Sequence, residues 1–143
     1  RRQRQMCIRD RYYAMSEDES KVLRYLKVMD DKKYFSSEFV ITFFEINYLT
    51  LSEFIASKLE KSSNKYYLQS LIALKLKKYS RAVEYGNIAL SHFDISPEGS
   101  IPFEVIKAIA FKQLGEDQEF NKIKKKIYLL DPKIKISESM WRL

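Results

Sequence analysis

The stretch SSNKYYLQSLIALKLKKYSRAVEYGNIAL, residues 62–90, decides the fold. Its first residues, Ser62-Ser63-Asn64, offer side-chain oxygens suited to capping a helix N-terminus. Tyr67, Leu68, Leu71, Ile72, Leu74 and Leu76 follow around much of a helical circumference, which predicts packing on more than one side. Lys77-Lys78 marks a short turn, with cations at the negative end of that helix. Tyr79 to about Phe93 then reads as a second helix, with Ala82, Val83, Ile88, Ala89 and Leu90 inward.

The same reading extends both ways. Downstream, Asp94 to Pro102 holds Pro97, Gly99 and Pro102 and reads as the one clear loop. Ser100 is placed to cap a helix from Phe103 to Leu114, and Gly115 is a left-handed stop. Glu116 to Leu130 is the last full helix, ended by Asp131-Pro132. Upstream, Ser16-Glu-Asp-Glu19 has the form of a capping box before Val22, Leu23, Leu26 and Met29, which predicts a helix from about Glu17 to Asp30. Lys32 to Ser37 reads as a turn. Phe39, Val40, Phe43, Phe44 and Ile46 are β-branched and aromatic enough to suit a strand, but the helical context on both sides assigns them to a helix. Thr50-Leu-Ser-Glu53 is a second capping box, for a helix burying Leu51, Phe54, Ile55 and Leu59. The sum is all-α, about seven helices and no strand.

Bulk composition agrees. The 143 residues are 45% hydrophobic and 14% aromatic, enough for a core. Three glycines and three prolines are too few for a turn-rich β fold. No stretch approaches the roughly 18 apolar residues of a membrane span. The one cysteine allows no internal disulfide, so a reducing compartment, cytoplasm or nucleus, is the expected location.

The first eleven residues, RRQRQMCIRDR, resemble a translated sequencing-adapter read-through and lack the apolar segment of a signal peptide. Residues 1–14 are therefore expected to be a non-native or disordered leader, with Met15 a plausible start. The formal charge is +7, but the leader's five arginines and one aspartate carry +4 of it. Residues 12–143 hold only +3, too little for a nucleic-acid argument from charge alone.

Two segments repeat one pattern. In the first, Tyr66 opens a helix, Ser70 is small, Tyr79 sits at the turn, and Ala82, Val83, Tyr85, Ala89 and Leu90 line the second helix. In the second, Ala108 is small, Phe111 bulky, Leu114-Gly115 the turn and Leu130-Asp131-Pro132 the end. These residues resemble the tetratricopeptide repeat (TPR) family over roughly residues 34–132, with Tyr34 to Lys61 as an earlier, more degenerate unit. Departures are Phe120 where a small residue is usual, Gln69 where Leu is usual, and Gly86 where an aromatic is common. Ala82 and Phe120 are 38 residues apart, which places an insertion around Pro97.

The resemblance implies a right-handed superhelix of stacked antiparallel helix pairs over residues 15–132. It also implies a concave face built from the first helix of each pair: Tyr67, Leu71, Leu74 and Lys75, then Val105, Ile109 and Lys112. These positions are mostly apolar, which suits a partner's helix or extended apolar segment rather than a terminal carboxylate; core packing in a tight superhelix is the competing reading. Asn47 to Leu59 is similar to the amino-terminal repeats of TPR subunits of the anaphase-promoting complex, implying a dimerising scaffold of a ubiquitin ligase.

Chemistry finds no foothold. Gly86, Gly99 and Gly115 are isolated, so no phosphate cradle forms. His92 is the single histidine, too little for a zinc set. Asp30-Asp31 and Glu116-Asp117 sit at turns or helix starts, where carboxylates favour the dipole. No Ser/His/Asp signature is present. No catalytic residue, metal or cofactor is expected.

The strongest basic cluster, Lys122, Lys124, Lys125 and Lys126, offers a second class of function, binding RNA or another anion. The solvated face of an amphipathic helix is the plainer reading, and nucleic acid is not the expected partner. A secretion-type chaperone is a third class. Residues 133–143 read as the start of a further helix or a tail, with Met140, Trp141 and Leu143 unpaired; self-association through this end is the expectation.

Overall fold

Helix starts fall where side chains or short turns can satisfy orphan amides. The computed structural model describes residues 19–29, 35–137, 139 and 141. Seven helices lie among them: α1 Glu19–Met29, α2 Ser37–Glu45, α3 Leu49–Lys58, α4 Ser63–Lys75, α5 Tyr79–His92, α6 Pro97–Gln113 and α7 Asp117–Leu130. No strand occurs among the described residues, so the apolar run from Phe39 is helical. The leader, Met15, Ser16 and the first half of the turn expected over Lys32 to Ser37, residues 32–34, lie outside the described residues.

The chain divides into two compact units, up to Glu60 and from Lys61. In the first, α3 packs on both α1 and α2. Val22 and Leu26 of α1, Phe39, Val40 and Phe43 of α2, and Leu51, Ile55 and Ala56 of α3 are buried. In the second, α4 pairs with α5, α5 with α6 and α6 with α7, while α4 also touches α6. Two clusters lie within its core. One gathers Ala73, Ala82, Ile106 and Ala110; the other gathers Ala108, Ile109, Phe120, Ile123, Ile127 and Trp141.

Three helix pairs share one turn. Asn47, Lys77 and Gly115 all take left-handed backbone, φ 66°, 62° and 75°. The following amide reaches back five residues in each case: Tyr48 to Phe43 at 2.8 Å, Lys78 to Ala73 at 2.8 Å, Glu116 to Phe111 at 3.0 Å. This is the Schellman closure, which satisfies the last carbonyls of the first helix. Tyr48, Lys78 and Glu116 then begin the second helix with ψ of 71°, 69° and 75° and no side-chain cap. Links of three residues leave no alternative to antiparallel neighbours.

Several sequence expectations need correction. Thr50 does not cap α3; the helix has already begun at Leu49, carried in by the turn at Asn47. Phe54 and Leu59 are half-buried rather than core, and Ser52 and Ala56 take the interior positions. Glu19 Oε1 accepts the Leu51 amide at 2.8 Å, so this carboxylate caps α3 across space. The loop expected over Asp94–Pro102 is short: Ser96, not Ser100, is the cap, its Oγ accepting the Gly99 amide at 3.0 Å, and Pro97 opens α6. At 17 residues α6 exceeds the 13 of α4 by four, close to one turn. The insertion seen in the sequence is thus an extra helical turn.

Residues 134–137 are irregular rather than helical. Trp141 is 2% exposed, with its ring edge-on to Phe120 at 5.4 Å between centroids. The expectation of an unpaired Trp141 is therefore overturned: Ile134, Ile136 and Trp141 fold back on the α6/α7 core. Met140 and Leu143 lie outside the described side chains.

Candidate interaction site

The sequence-derived groove residues fall on α4 and α6. Tyr67, Leu71 and Leu74 are half-buried and pack beside Ala73, Ala82, Ile106 and Ala110. Tyr67 meets the Phe103 ring edge-on at 5.6 Å. Leu74 also touches the neighbouring cluster, where Val105 is half-buried and Ile109 is 3% exposed. The five apolar residues are thus brought together where α4 meets α6, each contributing to packing. The two lysines differ. Lys75 is exposed, while the exposed Lys112 places Nζ 5.0 Å from the Phe120 ring centroid.

The basic cluster is not a uniform row. Lys126 Nζ lies 3.2 Å from Oε1 of Glu104, a carboxylate 1% exposed. Lys107 Nζ approaches the other oxygen at 3.8 Å. Lys107 reaches it by crossing Gly86 of α5, where an added Cβ would stand 2.9 Å from Lys107 Cγ. The Lys107 stem thus occupies the space a side chain at Gly86 would need. Lys124 is half-buried, its ammonium 5.7 Å from the Phe120 ring and 5.9 Å from Trp141. Lys122 and Lys125 are exposed. Lys122, Lys125 and Lys126 face water, while Lys124 and Lys126 also make contacts within this unit.

A different feature lies on α7. Asn121, Lys124, Lys125, Tyr128 and Leu129 line an open depression of about 470 Å³. The sequence carried a signal for it. The buried stripe of α7 is Phe120, Ile123 and Ile127, and Leu129 falls off that phase at 82% exposed. Glu104 was legible in the same way, as a carboxylate inside the apolar run from Ile101 to Phe111.

His92 is exposed at the end of α5 and its Nδ1 sits 3.1 Å from the Ile88 carbonyl, a local helix-end contact. Among the described residues no three His, Cys, Asp or Glu side chains come together to hold a metal ion. No described helix is long and apolar enough to cross a membrane.

Fold and surfaces together define an all-helical, repeat-like arrangement of stacked helix pairs. No family model matches the chain, and neither does any curated protein or solved structure.

Proposed function

We propose that this chain is a non-catalytic, TPR-like protein–protein interaction scaffold acting in the cytoplasm or nucleus. The observation that carries the reading is the threefold recurrence of one helix-pair turn, at Asn47, Lys77 and Gly115. Repeated helix pairs build extended surfaces and rarely build enclosed reaction sites. The half-buried Tyr67, Leu71, Leu74 and Val105 supply apolar surface on successive first helices, suited to a partner's apolar helix or segment. Membership of a multisubunit assembly such as a ubiquitin ligase is the narrower form of this proposal and rests on Asn47 to Leu59. Binding of RNA or another anion is less well supported, since Lys126, though exposed, already pairs with Glu104 and Lys124 lies against aromatic rings.

The test is photo-crosslinking in cells with a benzoylphenylalanine placed at Tyr67, Lys112 or, as control, His92. Protein adducts at Tyr67 and Lys112 and none at His92 are expected. Equal labelling at all three positions, or adducts to RNA only, would count against the proposal.

A further inference from the structure

The pair formed by α6 and α7 has a face that the preceding pair shows how to fill. Leu71, Ala73, Ala82 and Tyr85 of α4 and α5 stand 38 residues before Ile109, Phe111, Phe120 and Ile123, the same offset that separates the turns at Lys77 and Gly115. On the α4/α5 pair these positions pack with Ile106 and Ala110 of the next helix, α6. On the α6/α7 pair their counterparts pack with Ile134, Ile136 and Trp141. An irregular segment thus stands where the repeat places a helix.

The segment fills that place less completely than a helix does. Among the described residues its backbone makes a single hydrogen bond, the Ile134 amide donating to the Asp131 carbonyl at 3.1 Å. A helix would satisfy its amides and carbonyls internally. The Trp141 indole N–H is buried without an acceptor, and an unmade interior hydrogen bond offsets part of what burying the ring contributes. On the equivalent face α6 brings Phe103, Ile106 and Ala110, none of which carries a side-chain donor.

The same three residues state the chemistry of a fitting helix: an aromatic, a branched and a small side chain at i, i+3 and i+7, along one helix face. Within the chain only α6 carries that order, and there all three are already buried. We propose that the α6/α7 face receives a helix of this kind from a partner protein, and that Ile134, Ile136 and Trp141 form an intrachain plug which the partner displaces. The proposal rests on the scaffold reading above and adds to it a stacking face with a built-in competitor. Such a competitor lowers apparent affinity by the fraction of molecules in which the face is open.

Trp141 is the single tryptophan in the chain, so its emission reports whether the plug is seated. The probe is a synthetic peptide of residues 97–114, the α6 ridge itself, which holds no tryptophan. Titrated into the full chain, it should shift Trp141 emission saturably to the red as the indole leaves the core. The same peptide carrying Glu at the positions of Ile106 and Ala110 should leave the emission unmoved. With a fluorescein label on the peptide, anisotropy should show Trp141→Ala binding about tenfold more tightly than the native chain, because the competitor is gone. Ile136→Ala, a milder change that keeps the indole, should tighten binding about threefold and serves if Trp141→Ala fails to fold. A merely structural Trp141 would give the opposite sign, so weaker binding by the folded variants would overturn the proposal. Emission unmoved by the peptide, equal binding of the Glu-bearing peptide, or a red shift that grows with protein concentration alone, marking a second copy as the occupant, would each overturn it too. Crosslinks at Tyr67 alongside such a failure would leave the scaffold reading standing and remove this one.

Discussion

The Ser52 hydroxyl donates to the Val40 carbonyl at 3.2 Å, and both residues are fully buried where α3 packs on α2. Val40 and Ser52 are the counterparts of Ser70 and Ala82 in the next pair, and of Ala108 and Phe120 in the last, always twelve residues apart. All six are buried. Small residues there let two helices approach, and Phe120 departs from the pattern because its ring is met by Trp141 and by the ammonium groups of Lys112 and Lys124. Ala82→Leu should therefore lose about 1–3 kcal/mol through overpacking. Phe120→Ala should lose about 3–5 kcal/mol through a cavity. Urea unfolding curves would measure both, and a neutral Ala82→Leu would contradict the close approach.

Glu104 links three helices through Lys107, Lys126 and the space at Gly86. Removing the exposed Lys126 by alanine should cost about 1 kcal/mol, because solvent already screens its charge. Glu104→Ala should cost about 3 kcal/mol, since two lysines lose their buried partner and a cavity opens. Gly86→Ala should destabilise the native chain by displacing Lys107. In a Lys107→Ala background the same change should stabilise by up to about 1 kcal/mol through helix propensity. A double-mutant cycle without that change of sign would remove the assigned role of Gly86.

At Lys77 an L side chain holds φ 62° with no glycine to relieve it, whereas Gly115 carries the equivalent turn at φ 75°. Lys77→Gly should raise stability by about 0.5–1 kcal/mol, and Gly115→Ala should lower it by about 1 kcal/mol. Thermal melts of the two variants should move in opposite directions.

Lys65 is buried at the start of α4, and its pKa is held below 10.5, first by desolvation and then by the nearby charge of Lys61. A lysine whose pKa is lower when folded binds more protons when unfolded, so stability rises as pH climbs from its folded pKa towards its unfolded value. Lys61→Gln removes one of the two causes. The Lys65 pKa should then move up, still short of 10.5, and the alkaline gain in stability should shrink. NMR titration of the Lys65 side chain reads the first effect and denaturation between neutral and alkaline pH the second; an unmoved pKa would mean that Lys61 exerts no such influence.

Local chemistry made much of this legible in advance. Ser62 caps α4 with its Oγ accepting the Lys65 amide at 3.1 Å, Gly115 stops α6, and Asp131-Pro132 ends α7. What escaped was set by distance along the chain. Glu19 caps Leu51 from 32 residues away, and Trp141 returns to Phe120 across a tail with no periodicity of its own. Pro102 misled for another reason. It sits near the N-terminus of α6 on an exposed turn, where the amide it lacks would have met only the Glu98 carbonyl. Tyr67, Leu71, Leu74, Val105 and Ile109 pack where α4 meets α6, and periodicity could not separate a ligand face from that packing.

The most direct test of the scaffold claim is a pull-down with the immobilised chain, washed first at low and then at high salt. Specific protein partners should survive the high-salt wash, because an apolar contact is nearly indifferent to ionic strength. Release of all bound material by salt, with nucleic acid in the eluate, would contradict the claim, since counterion release makes anion binding fall steeply.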